Sequence, residues 1–243
     1  MRATVWAVEN WDTLSEMLTE HIWLAVLPTL LGLVISLPVG LLLRDRARAR
    51  SVVVVLSSIV FTIPSLALFV ILPAILGTQY LDPGNVVIAL TLYSVSLTIR
   101  TVFESLDAVL PATREAASAI GYSPIKRTVM VDLPLAIPVL TAGTRVVAVT
   151  NVSMVSVGAV IGIGGLGQLF TSGYQRNFPE QILTGIVIIL LLAIVIDRAI
   201  AIMGRTLTPW IRGASVRASE RRLRALAQAF PENNKLKEAA GVH

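Results

Sequence analysis

IGIGGLG, residues 161 to 167, is a complete G-x-G-x-x-G, with Gly162, Gly164 and Gly167 at the required spacing. In a soluble α/β protein these glycines would cradle a pyrophosphate at a helix N-terminus. Glu180 stands at about the distance of a ribose-binding acid. In a chain of membrane-spanning helices the same letters mean a sharp turn and a close approach of backbones. One reading makes the protein a nucleotide-binding α/β domain and the other makes it an all-α membrane protein.

The surroundings choose the second. The 243 residues are 55% hydrophobic and 14% charged, against about a quarter charged in soluble domains. Uncharged runs extend over 21–43, 51–81 and 146–175. About 18 apolar residues suffice for a helix to cross the hydrocarbon core. Five spans are expected: His21 to Leu43, Ser51 to Gly77, Asn85 to Leu106, Leu133 to Ile161, and Gln181 to Met203. No strand precedes the glycines, and Phe178-Pro179 interrupts the segment after them, so the nucleotide-clamp context is missing. Gly158-x-x-x-Gly162 also has the small-residue spacing of packed membrane helices.

The chain has no cysteine, which excludes disulfides and thiolate sites, and its two histidines stand at positions 21 and 243. Residues 1–20 hold one Arg against four acids, so no secretory signal is expected. The net charge of +5 has a topological explanation. Fifteen of the 20 basic residues fall on one side of the spans, between Arg44 and Arg50, between Arg114 and Arg127, and beyond Met203. The positive-inside rule puts that side in the cytoplasm and the N-terminus outside. The basic charge is thus read as attraction to a membrane surface, and no nucleic-acid partner is expected.

The expected organisation is an extracytoplasmic segment (1–20), a transmembrane domain (21–203) and a basic cytoplasmic tail (204–243). A short helix is expected in the tail, around Ser219 to Phe230. The transmembrane domain contains a cytoplasmic elbow at 111–132. Thr113 is positioned to cap its first helix, with Glu115 in the first turn, and three alanines keep that helix slim. Gly121 ends it in a left-handed turn, Ser123 caps a second helix, and Pro124 takes the first position. A small, smooth helix of this kind suits a groove on another protein, although an interfacial amphipathic helix has the same composition.

The elbow also carries a resemblance. Glu115-Ala116-Ala117, Gly121 and Val131-Asp132-Leu133-Pro134 reproduce E-A-A-x3-G-x9-I-x-L-P with Val for Ile. That is similar to the motif of permease subunits of ABC importers. TIPSLALFVILP (62–73), VLTAGTRVVAVTN (139–151) and IGIGGLG further resemble the glycine betaine/carnitine/choline (osmoprotectant) branch. The resemblance implies a type I importer permease of about five helices in a bacterial plasma membrane. It also implies two ABC ATPase subunits, a second permease subunit (identical or homologous), and an extracytoplasmic substrate-binding protein. ATP and Mg would be bound by the ATPase partner and none by this chain, which is not expected to be an enzyme. Methionine or other amino-acid importer permeases share this plan and are the alternative.

On that basis Glu115, Ala116, Ala117, Gly121, Pro124, Leu133 and Pro134 are the expected coupling residues. Pro64, Ser65, Thr150, Asn151 and Ser153 are candidates for the translocation pathway. Gly162, Gly164, Gly165 and Gly167 form the outer glycine-rich loop. Pro28, Pro38, Pro64 and Pro73 each remove a helix hydrogen bond and can kink a span. Arg100 and Arg145 are cations within spans, and a cation on the route of a quaternary ammonium would repel it, so both are read as structural, with Asp197 and Arg198 placed at the inner boundary. An intramembrane enzyme would need a nucleophile–base pair that the spans do not hold. A channel would have no use for the elbow.

Overall fold

The computed structural model describes residues 2–210, with side chains from Trp6 onward. The basic tail beyond Trp210, including the helix expected at 219–230, lies outside the described residues. Among the described residues every regular element is a helix.

A short α1 (Arg2–Glu9) leads into α2 (Trp11–Leu43), the first span, which starts ten residues before His21. Its 33 residues are about 50 Å long, so its outer end projects beyond the hydrocarbon core. The second expected span is not one helix. α3 (Ala47–Thr62) and α4 (Ser65–Leu76) meet at 99° across Ile63-Pro64. Proline has no N–H to continue the helix and pushes the preceding residue to extended backbone, and Ile63 is extended, with ψ 129°. The hydroxyl of Tyr93 donates to the Ile63 carbonyl at the bend, and the Phe61 ring packs edge-on against Tyr93. The bend is thereby hydrogen-bonded at membrane depth, as the absence of water there requires.

α5 (Pro83–Asp107) is the third span. The elbow comes next as α6 (Pro111–Ala119) and α7 (Pro124–Arg127). A π-helical turn (Thr128–Asp132) then runs without a break into α8 (Leu133–Gly158), so Leu133-Pro134 is part of one continuous helix. A 3₁₀ turn (Ala159–Ile161), the glycine loop, α9 (Gln168–Gln175) and α10 (Pro179–Leu207) complete the described chain.

α5 lies in the centre, between α2 and α8, and small residues set its approach to both. A Cβ on Gly32 would stand 2.5 Å from Ser94 Cβ, one on Gly40 would stand 2.3 Å from Val102, and one on Gly143 would stand 2.1 Å from Thr101. Lipid is as apolar as leucine, so membrane helices associate by such close packing rather than by hydrophobic exclusion. Asn151 completes this contact. It is 1% exposed, and its amide donates to Thr29 Oγ1 and Ser94 Oγ, both at 2.8 Å, one on α2 and the other on α5.

α3 has no buried residue, and α10 keeps Leu190, Leu191 and Val195 mostly exposed. A helix apolar on all sides belongs in lipid or against another membrane helix. Arg145 on α8 and Asp197 on α10 form a two-point ion pair, at 2.7 and 2.8 Å, which partners these two charges, while Arg100 donates to Ser58 Oγ at 3.0 Å.

Candidate functional site

The elbow is built by its turn. α6 ends in a Schellman motif: the N–H of Gly121 reaches the Ser118 carbonyl at 3.0 Å, and that of Tyr122 reaches Ala117 at 3.1 Å. Gly121 has φ +87°, and a Cβ added there would find nothing within 4 Å, so the demand on this residue is purely conformational. Ser123 then accepts from the Lys126 N–H, with Pro124 at the first helical position, as expected. The first cap differs. α6 already starts at Pro111, behind Leu110, so Thr113 is inside the helix and caps nothing. Proline's fixed φ favours a helix start at that position.

Glu115, Ala116, Gly121 and Pro124 are exposed on the elbow, while Ala117 is 6% exposed and faces the chain's own interior. Ile120 and Ile125 project at 73% and 80% exposure on either side of the Gly121 turn. Leu133 and Pro134 are half-buried at the start of α8. Lys126 lies over the Tyr122 ring at 4.6 Å, and Arg127 donates to Ser118 Oγ at 3.1 Å, closing the two helices on each other. Arg114 donates to the Leu106 carbonyl and so fastens α6 to the end of α5.

The pathway candidates separate into two groups. Pro64 and Ser153 are exposed, and Ser65 and Thr150 are half-buried. Asn151 is withdrawn from that surface and forms an interior joint between α2, α5 and α8. An amide nitrogen with two hydroxyl partners inside the fold has no donor left for a passing solute.

The outer glycine loop is a packing device. Gly162 (φ +89°) ends the helix in the same Schellman geometry, with Ile163 N–H on the Gly158 carbonyl at 3.0 Å. A Cβ on Gly165 would meet the backbone of Met17 and His21 at 2.7 and 2.8 Å, and one on Gly164 or Gly167 would meet Ala159 or Ser156. His21 is fully buried there, and its Nε2 donates to the Val152 carbonyl at 2.9 Å. The loop is thus pressed onto α2 and α8, with no cradle for a phosphate.

Three residues that hold the site together carry no signal in the sequence: Tyr93 at the bend, His21 under the glycine loop, and Asp132. Asp132 sits in the E-A-A motif itself, and its side chain is 0% exposed with Arg44 Nη1 at 2.6 Å.

These features define a class: a polytopic all-α membrane protein with a bent second span and a helix–glycine–helix elbow between its third and fourth spans. Residues 16–212 match the family model of the binding-protein-dependent transport system inner membrane component, and the chain belongs to this family. It is 32% identical over 204 residues to the osmoprotectant import permease protein OsmW of Salmonella typhimurium, covering 83% of this chain and 95% of that one. It is also 32% identical over 190 residues to the choline transport system permease protein OpuBB of Bacillus subtilis, covering 78% and 86%. Among solved structures, a chain of the MetNI methionine ABC transporter in an inward-facing conformation superposes with TM-score 0.71 at 26% identity. It covers 82% of this chain and 97% of that one.

Proposed function

We propose that this chain is the permease subunit of an ATP-driven importer for quaternary-ammonium osmoprotectants such as glycine betaine, choline and carnitine. The observation that carries the coupling half of this reading is the elbow. It is a slim helix with a glycine turn, anchored at its base by Arg114 and presenting Glu115, Ile120 and Ile125 outward. The substrate half is supported by the osmoprotectant and choline permeases that share about a third of its residues.

In this reading two ATPase subunits bind ATP and Mg and receive the elbows in surface grooves. A second permease, identical or homologous, covers the apolar faces of α3 and α4 and encloses the pathway. An extracytoplasmic receptor delivers the substrate to the outer end. ATP closure draws the elbows together and turns the pathway outward, and hydrolysis returns it inward. Such a cycle needs an element with two arrangements that both sites bias, and the break at Ile63-Pro64 supplies a candidate for it. Pro64, Ser65, Thr150 and Ser153 are the proposed pathway residues.

The test is uptake of labelled glycine betaine by a transporter-deficient bacterial strain expressing this chain with its neighbouring subunits. Uptake that choline competes and methionine does not supports the substrate class. Saturable methionine uptake without betaine uptake would leave an importer and overturn the osmoprotectant assignment.

A further inference from the structure

Among the described residues the most concentrated charge is at the root of the elbow, and it involves a residue to which the coupling motif assigns no role. The Asp132 carboxylate is fully buried among three guanidinium groups. Arg44 Nη1 is 2.6 Å from Oδ2, Arg114 Nε is 3.3 Å from Oδ1, and Arg127 Nε is 3.9 Å from Oδ2. Their side chains are 9%, 24% and 26% exposed. Each arginine belongs to a different element. Arg44 caps the end of α2, Arg114 is in α6 and is tied to the end of α5, and Arg127 ends α7.

Asp132 itself is the last residue of the π turn, where Leu133 N–H bonds back to the Thr128 carbonyl. A π turn inserts one extra residue into a helix and changes which way the following side chains point, and such turns recur at functional sites. Here the residue it sends inward is the carboxylate that all three arginines share. The other acid near the group, Asp45, reaches Arg44 alone at 3.6 Å and is exposed to solvent. Removing the shared partner of a buried ion cluster leaves its cations uncompensated.

α2 leads away from this cluster. It runs from Arg44 along α5 and α8, is joined to both through Asn151, and at its outer end holds the glycine loop against Met17 and His21. We propose that Asp132 is a positioning residue that locks the elbow to the first span. A displacement of the elbow is thereby passed through Arg44 to α2 and on to the outer glycine loop, instead of being absorbed at the Gly121 turn or the π turn. This rests on the permease reading above for its function, though the mechanical link itself does not.

Two measurements separate the mechanical link from the functional reading. The cysteine-free chain accepts spin labels at Leu42→Cys, on the end of α2, and Met130→Cys, in the π turn. Purified in lipid nanodiscs and diluted with unlabelled chain, the wild-type background is expected to give one narrow label-to-label distance. Asp132→Asn is expected to broaden it or add a second population, and Asp132→Glu to restore it in part. An unchanged distribution in Asp132→Asn overturns the proposal. In the complete transporter, substrate taken up per ATP hydrolysed is expected to fall by roughly threefold or more in Asp132→Asn, with hydrolysis retained. Uptake and hydrolysis falling in proportion would overturn the proposal and mark a merely structural role. If Asp132→Asn does not reach the membrane, Arg44→Met decides by the same two readouts, because it removes the 2.6 Å contact to α2 while Arg114 and Arg127 still face the carboxylate. A wild-type complex that shows no ATP-driven uptake would overturn the functional reading, while the distance measurement on the permease alone would still judge the link.

Discussion

Substituting Gly121 isolates the conformational demand of the elbow from every packing effect. The residue has φ +87° and an added Cβ would find nothing within 4 Å, so Gly121→Ala brings no clash. What it brings is left-handed backbone strain, about 1–2 kcal/mol for an L-residue. At room temperature that multiplies the population of a wrongly turned elbow by roughly 5 to 30. The spans draw nothing from this turn, so thermal unfolding of the detergent-solubilised chain is expected to shift by no more than this strain. Uptake in the assembled transporter is expected to fall towards the same limit, roughly 5- to 30-fold, set by that strain. Gly121→Asn is the internal control, because Asn tolerates the left-handed region through local hydrogen bonding, and it is expected to retain most of the activity. Equal losses for Ala and Asn would refute the reasoning, since they would point to side-chain size at a docked surface rather than to backbone strain. Ala behaving as wild type would refute it as well.

Other perturbations have different signatures. Gly158→Ala puts a Cβ 2.1 Å from the Ile163 carbonyl oxygen. The loop would have to lift and lose the Ile163–Gly158 hydrogen bond, so about 2–4 kcal/mol of destabilisation is expected in a denaturant or thermal titration read by tryptophan fluorescence. Asn151→Ala is expected to cost about 2 kcal/mol of stability through two lost interhelical bonds and a small cavity, while leaving the ratio of betaine to choline uptake unchanged. A change in that ratio would place Asn151 in the pathway. Tyr93→Phe leaves the Ile63 carbonyl at the bend without its donor and is expected to cost about 1 kcal/mol, seen as a lower melting temperature with the aromatic packing retained.

The membrane class, the approximate spans and the elbow were legible in the sequence because each depends on local chemistry. Uncharged length is enough to mark a span, charge asymmetry orients it, and Gly121 with Ser123-Pro124 specifies a turn from residues that are neighbours along the chain. Even the false nucleotide motif was settled locally, by the lack of a strand before it. Features that join distant positions of the chain needed the folded structure. The run from Ser51 to Gly77 is long enough to cross as one helix, and a proline alone permits a bend without requiring one. The bend is held by Tyr93, 30 residues away from Ile63. Asn151 has the composition of a pathway residue. Only the approach of Thr29 and Ser94 shows that its donors are already taken. Asp132 reads in sequence as a spacer between Val131 and Leu133, and Arg44 reads as one more basic residue on the cytoplasmic side. Their 2.6 Å contact spans 88 positions of sequence, and burial in a fold that excludes water is what turns two unremarkable charges into a joint.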